Sequence, residues 1–300
     1  MTNITIRQLR YFRALAQTGH FGQAAAMCSV SLPALSMQIR DLEAELGAPL
    51  VERRPSGAEL TPIGKEIAER AAQILVLTQG LSDLAESRAR VLSGALSLGV
   101  IPTIAPYVLP IALAEISERY PTLDLRICET RTDTLTADLL SGGRGLLVLA
   151  IPSEHPAIDT LPLSDESFVL AVPDSPSRTA RVLSTDDLLT ESRVLLLEEG
   201  HCFRDHALDV CERHRKGEID TLGASSLATI VRMVANGMGV TLLPRISVET
   251  ETPGLALRLL EFSDPVPSRQ IGLAWRKSSP RTRDFTEVGK LITESQTGLQ

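Results

Sequence analysis

Apolar residues recur every three or four positions over residues 5–18, where Ile6, Leu9, Phe12 and Leu15-Ala16 share one face, so the chain opens on an amphipathic helix. Gly19 stops it, and the alanine-rich stretch Phe21–Cys28 predicts a second, shorter helix. After the turn Ser29-Val30-Ser31, a third helix starts with Ser31 as N-cap and Pro33 in the first turn, where proline is tolerated. Leu35, Ile39, Leu42 and Leu46 fall on its buried side, and Gly47 ends it. The opposite face offers Ser36, Gln38 and Arg40, short or planar polar groups suited to phosphate oxygens and base edges. Two short strands, Leu50–Arg54 and Ala58–Leu60, flank the turn signal Pro55-Ser56-Gly57. Helix, helix–turn–helix and basic hairpin is the layout of a winged helix, with Arg53 and Arg54 where a wing meets the phosphate backbone.

Thr61-Pro62 starts a long helix running to about Leu92. Ile67, Ile74 and Leu81 repeat every seven residues, as do Leu77, Leu84 and Val91. That pattern favours pairing with a partner helix, and packing on its own domain is the alternative. From Gly94 the texture changes to strands at 95–101, 123–129, 146–151, 168–172, 194–197, 239–243 and 271–276, set among helices at 105–119, 134–140, 225–236 and 281–294. This predicts an α/β domain with a mostly parallel sheet, in one sheet or two lobes. Ligands in such folds sit at the carboxyl ends of strands or between lobes. Thr103 lies just past the first strand, in Ile101-Pro102-Thr103.

Three hundred residues exceed what one hydrophobic core usually organises, which fits two domains or more. The 43% hydrophobic content suits a soluble globular protein, and no apolar run approaches the roughly 18–20 residues of a membrane helix. Arg7, Arg10 and Arg13 break any signal-peptide core, so the expected location is the cytoplasm. A net charge of −7 hides a division: residues 1–56 hold six Lys/Arg against four Asp/Glu, which makes them +2 and leaves −9 for the rest. A mildly basic head on an acidic body suits duplex DNA held by the head alone.

Four cysteines are too few for a secreted disulfide scaffold. Cys202 sits in Gly200-His201-Cys202-Phe203-Arg204-Asp205, which follows a strand and opens a helix continuing through Cys211 to about Arg215. A helix N-terminus favours a thiolate, and His201 and Arg204 can add positive charge or donors. Those are the ingredients of a nucleophilic cysteine. A zinc site from His201, Cys202, His206 and Cys211 is the competing chemistry, although the spacing matches no common zinc pattern. Nine residues of intact helix separate two Cα atoms by about 13 Å, whereas a disulfide needs roughly 4.4–6.8 Å. Bridging Cys202 to Cys211 would therefore unwind Phe203–Val210, converting oxidation into a conformational change. The expected sequence is thiolate attack on peroxide, a sulfenic acid, then the disulfide. Cys28 and Cys128 read as packed thiols.

The run Phe21-Gly22-Gln23-Ala24-Ala25, Ser31-Leu32-Pro33-Ala34-Leu35-Ser36, Leu42-Glu43, Leu46-Gly47 and Leu60-Thr61-Pro62-Ile63-Gly64 resembles the LysR-type winged helix. Within that family, Ile101-Pro102-Thr103, Gly200-His201-Cys202-Phe203-Arg204-Asp205, Cys211 and Thr241-Leu242-Leu243-Pro244 resemble the OxyR branch of peroxide sensors. The resemblance implies an all-α winged helix–turn–helix (1–60), a dimerising linker helix (61–93) and a periplasmic-binding-protein-like sensor of two α/β lobes (94–300). Lobe I would take about 94–166 and 268–300, and lobe II about 167–267. It implies a tetramer assembled as a dimer of dimers, promoter DNA and hydrogen peroxide as partners, RNA polymerase as a further one, and no cofactor or metal. Cys202 would be the peroxidatic residue and Cys211 the resolving one. Thr103, Thr132 and His201 would line the peroxide pocket, and Arg204 and Asp205 would help hold the reduced loop. Ser31, Pro33, Ala34, Ser36, Gln38, Arg40, Arg53 and Arg54 would meet DNA. Two positions depart from the family pattern: Leu32 stands where many relatives have glutamine, and Gly142-Gly143-Arg144-Gly145 lacks the usual Leu-Asp pair. A regulator opened by a small organic effector between the lobes, and a thiol peroxidase, are the competing functions; a catalyst has no need of the head or the linker helix.

Overall fold

The computed structural model describes residues 3–54, 57–89, 91–151, 155–174, 193–214 and 221–297. They belong to two compact units, Met1–Ala85 with Ser141–Gly143, and Glu86–Leu140 with Arg144–Gln300.

In the first unit, α1 (Ile6–Thr18) is opened by a capping box in which Thr5 and Gln8 satisfy each other's backbone N–H groups. Next come α2 (Phe21–Met27) and α3 (Leu32–Leu46), where the Ser31 hydroxyl accepts from the Ala34 amide as the predicted N-cap. Phe12, Leu15, Leu35, Ile39 and Leu42 close the core between them. The wing is an antiparallel hairpin of β1 (Val51–Arg54) and β2 (Gly57–Leu60). Pro55 and Ser56 of its expected turn lie outside the described residues. Glu43 on α3 holds β1 by accepting from the Leu50 and Val51 amides at 2.8 and 3.1 Å. At Gly57 a Cβ would lie 2.5 Å from the Gly19 carbonyl oxygen, so glycine is what lets the wing close on the end of α1. The long helix α4 spans Pro62–Ala89. Ile67 and Leu75 pack on the head's core, whereas Ile74, Leu77, Leu81 and Leu84 are exposed.

The second unit is built from β3 (Gly94–Val100), α5 (Ala105–Arg119), β4 (Leu123–Glu129), α6 (Thr132–Leu140), β5 (Leu146–Ile151) and β6 (Ile158–Pro173). After these come β7 (Val194–Leu197), α7 (Cys202–His214), β8 (Thr221–Ala224), α8 (Leu227–Ala235), β9 (Thr241–Pro244), α9 (Val248–Glu251), β10 (Leu257–Leu260), β11 (Ser268–Arg276) and α10 (Thr282–Thr297). Arg215, the expected end of the cysteine helix, lies outside the described residues. The expected mostly parallel sheet is a mixed one. Strand β3 runs parallel to β4 and β5, and β7 to β8, but β11 is antiparallel to β5 and β6, and β6 to β9 and β10.

The reason lies in β6. Its residues Ile158–Ser167 pair with β11, and from Phe168 onward it pairs with β9 and β10 instead. One strand thus leaves a first hydrophobic core, around Leu98, Val148, Ile271 and Phe285, and enters a second, around Phe168, Leu195, Val231 and Leu242. Strand β11 brings the chain back, and both crossings impose antiparallel pairing. Only the apolar run 168–172 of this strand was legible beforehand, because the first half carries Pro162, Asp165 and Glu166 and is half-exposed.

Candidate functional site

Strand β7 ends at Leu197, and the turn Glu198–His201 delivers Cys202 as the first residue of α7. Arg204 fastens this turn from its own side, donating through Nη1 to the Leu197 carbonyl at 2.9 Å. Arg131, from the loop before α6, fastens it from the other lobe by donating to the Glu199 carbonyl at 3.1 Å. Gly200 is what permits that clamp. Its φ is +88°, and a Cβ there would sit 2.9 Å from both Cδ and Nη1 of Arg131.

The turn meets the end of β3 and the start of α6 in a narrow crevice lined by Pro102, Thr103, Thr132, His201, Cys202 and Phe203. In this conformation the crevice is too narrow for a water molecule. The fold therefore brings Thr103, Thr132, His201 and Cys202 into one place. Thr103 is 3% exposed, and its hydroxyl oxygen accepts from Arg269 Nη1 at 2.8 Å, which leaves its own O–H to donate elsewhere. Thr132 opens α6 with a buried hydroxyl that has no hydrogen-bond partner among the described residues. Burial, and then the Arg131 guanidinium, push the His201 imidazole below its ordinary value against the pull of Glu198. Both influences favour the neutral imidazole of His201, which has one N–H to donate and one nitrogen to accept.

Arg269 is the centre of this architecture. It forms a buried ion pair with Glu166 at 2.6 Å, donates a second bond to the Thr103 carbonyl at 3.1 Å, and stacks over the Phe203 ring at 5.3 Å. Neither Arg269, Glu166 nor Arg131 stands out in the sequence. The signal for the first pair is the register of β11 on β6, which sets Arg269 opposite Glu166, and that is a long-range fact.

Cys211 lies nine residues along the same helix, fully buried in the second core, whereas Cys202 packs against the first. Neither is in a disulfide, nor are Cys28 and Cys128, which are half-buried. Asp205 is exposed on the first turn of α7, where a carboxylate suits the helix N-terminus, and does not line the crevice. Among the described residues no three His, Cys, Asp or Glu side chains are grouped to hold a metal ion, so His201, Cys202, His206 and Cys211 are not gathered as a zinc site.

On the head, α3 turns Pro33 and Arg40 outward, and Ser36, Gln38 and Ala34 are half-exposed on its flanks. The Ser36 hydroxyl accepts from Arg53 Nη2 at 2.7 Å, and the Arg53 guanidinium lies over the Phe21 ring at 4.6 Å. Gln38 donates to Asp41 at 3.3 Å. Arg54 pairs with Glu59 at 2.7 Å, both exposed, a contact that competes only weakly with a phosphate. Among the described residues no helix is long and apolar enough to cross a membrane.

A winged helix–turn–helix on a long helix, and a two-cored α/β unit with a cysteine between its cores, define a DNA-binding regulator with a sensor domain. Residues 6–65 match the model for the bacterial regulatory helix-turn-helix proteins of the lysR family, and residues 89–296 match that for the LysR substrate binding domain. The chain belongs to the LysR family of transcriptional regulators, and it is not an enzyme. It is 42% identical over 298 residues to a Streptomyces viridosporus protein named "Probable hydrogen peroxide-inducible genes activator", covering 98% of this chain and 95% of the relative. It is similar to the solved structure of a full-length OxyR variant from Pseudomonas aeruginosa, with a TM-score of 0.78 and 36% identity over 97% and 95% of the two chains. It is also similar to a hydrogen peroxide-bound OxyR variant from Corynebacterium glutamicum, with a TM-score of 0.65 and 32% identity over 98% and 93%.

Proposed function

We propose that this chain is a hydrogen peroxide-sensing transcriptional regulator in which Cys202 is the peroxidatic residue and Cys211 the resolving one. The observation that carries the reading is the crevice, where Cys202, His201, the oriented hydroxyl of Thr103 and the unpartnered hydroxyl of Thr132 converge. A buried hydroxyl without a partner costs about 1–3 kcal/mol, and a small molecule that both donates and accepts relieves it when the narrow crevice widens to admit it. The Cys202 thiolate attacks one peroxide oxygen, the O–O bond breaks, and the departing hydroxide takes a proton to leave as water. Thr103, Thr132 and His201 position the peroxide and stabilise charge on its leaving oxygen. The Cys211 thiolate then attacks the Cys202 sulfenic sulfur, forming the disulfide as hydroxide leaves and is protonated. Arg204 holds the reduced turn, and Asp205 supports the helix start.

Residues 1–60 read duplex DNA, with Ser31, Pro33, Ala34, Ser36, Gln38 and Arg40 on the recognition helix and Arg53 and Arg54 on the wing. The exposed Ile74, Leu77, Leu81 and Leu84 support dimerisation through the 61–93 helix, with dimers joined into a tetramer through the 94–300 sensor. Lobe I takes about 94–166 and 268–300, and lobe II about 167–267. RNA polymerase is the further partner, and the cytoplasm the location. Arg53→Ala is expected to weaken binding to all sequences alike and to reduce the slope of log K against log salt by about 0.9, one phosphate contact. Titrations across about 50–200 mM salt check this, and an unchanged slope removes the wing assignment.

A second reading, gating by a small organic effector, is favoured by an adjoining cleft of about 140 Å³ that shares Pro102, Thr103 and His201 with the crevice and is lined further by Tyr107, Leu197, Ser226 and Glu251. Thiol mapping of the full-length protein before and after one equivalent of hydrogen peroxide decides between them. The expected result is loss of alkylation at Cys202 and Cys211 with Cys28 and Cys128 unchanged, and no response in Cys202→Ser. Four free thiols after oxidant would leave only the effector reading.

A further inference from the structure

Several polar groups of the recognition helix make contacts within the protein in the absence of DNA. The Ser31 hydroxyl caps the helix, that of Ser36 accepts from Arg53, the Gln38 amide donates to Asp41, and Arg40 Nε reaches the Ser36 carbonyl at 3.4 Å. Two large apolar side chains on α3 are uncovered beside its charged ones, Leu32 at 49% and Met37 at 52% exposure. Helix geometry places Met37 on the outward face. At 100° per position it lies nearly opposite the centre of the buried row Leu35, Ile39 and Leu42, and Pro33, Arg40 and Ala44 stand beside it. Leu32 opens the helix, at the end that enters a groove first. Arg40, Arg53 and Arg54 frame these residues with the cationic surface of a head that is +2 on a chain of −7, which commits the face to duplex DNA. The apolar feature that a major groove presents is the C5-methyl group of thymine.

Resting on the DNA-binding reading above, we infer that Met37 and Leu32 are specificity-determining residues that recognise thymine methyl groups. The operator half-site then requires thymine at the positions that α3 covers, and a cytosine or purine there loses an apolar contact and leaves a base edge facing a side chain that cannot hydrogen-bond.

The test starts from a random duplex library selected on the full-length protein. Each thymine of the enriched sequence is then replaced by deoxyuridine, which pairs identically and lacks only the methyl group. The expected result is a loss of about fourfold in affinity at one or two positions per half-site, the worth of one buried methyl group. Met37→Ala and Leu32→Gln are each expected to abolish the uracil effect at their own position and preserve it at the other. Uracil that changes affinity by less than about twofold at every position overturns the inference, as does an effect that persists undiminished in both variants. The uracil series on the unaltered protein stands whether or not a variant folds. A library that yields no enriched sequence instead overturns the DNA-binding reading, and this inference with it.

Discussion

Replacing Arg269 by methionine is expected to lower the stability of the sensor by about 3–5 kcal/mol, the cost of leaving a buried charge without its partner. The charge left behind is Glu166, whose side chain is 5% exposed and whose remaining bond is the Ile246 amide at 3.3 Å. Burial already raises the Glu166 carboxyl above its ordinary value, and the guanidinium is the main influence holding it down. Without Arg269 it rises further. A carboxyl raised in the folded state adds stability at low pH and loses it as pH climbs through the raised value. The deficit of the variant is therefore largest near about pH 8 and narrows toward about pH 5. Urea melts followed by the single tryptophan, Trp275, which is buried in the sensor, measure it. A deficit independent of pH would mean that Glu166 is not the residue left uncompensated.

The same change reaches the crevice without touching peroxide. Thr103 loses the donor that orients its hydroxyl, and Phe203 loses the cation over its ring. Sulfenic acid formation at Cys202 is expected to slow by about tenfold or more, as misplaced positioning groups commonly cause. Arg269→Lys separates the two effects. A lysine keeps the charge against Glu166 but has no planar fork to hold Glu166 and Thr103 together. It should recover most of the stability and little of the rate. Recovery of both would assign Arg269 a purely structural role.

Local patterns and remote pairings divide what was legible. The head could be read almost element by element, because its helices are amphipathic, its caps are Ser31, Gly19 and Gly47, and its contacts are close in sequence. The cysteine turn was equally plain, since Gly200, His201 and Cys202 are neighbours. The Thr5–Gln8 capping box is another local signal, a threonine and a glutamine three residues apart. The rest depended on strands far apart in the chain. Arg269 heads an ordinary strand, and Glu166 sits in a stretch that reads as a loop; only the β6–β11 register makes them one buried pair. Arg131 reaches the Glu199 carbonyl across 68 positions, and a long exposed side chain has no pattern that announces such a partner. Asp205 is close to Cys202 in sequence, but its carboxylate is exposed on the first turn of α7 and lies outside the crevice.

Phe203→Ala is expected to move the redox equilibrium itself. In the reduced protein Phe203 is 3% exposed, packs edge-on against Phe168 at 5.2 Å and 89°, and lies beneath Arg269. Along with Ala207 and Val210 it ties α7 into the second core, so the helix that keeps Cys202 and Cys211 about 13 Å apart is held by packing more than by propensity. Truncating a buried phenylalanine costs about 3–5 kcal/mol where its packing exists. If closing the disulfide pulls residue 203 out of the core, the oxidised form does not bear that cost in full. A difference of about 2 kcal/mol between the two forms corresponds to a midpoint potential about 40 mV more negative, because the dithiol is the form that is destabilised. Equilibration in graded thiol–disulfide buffers, followed by alkylation and mass spectrometry, gives the potential directly. An unchanged midpoint would mean that Phe203 keeps its packing in the disulfide form, and that oxidation does not take α7 apart at its first turn.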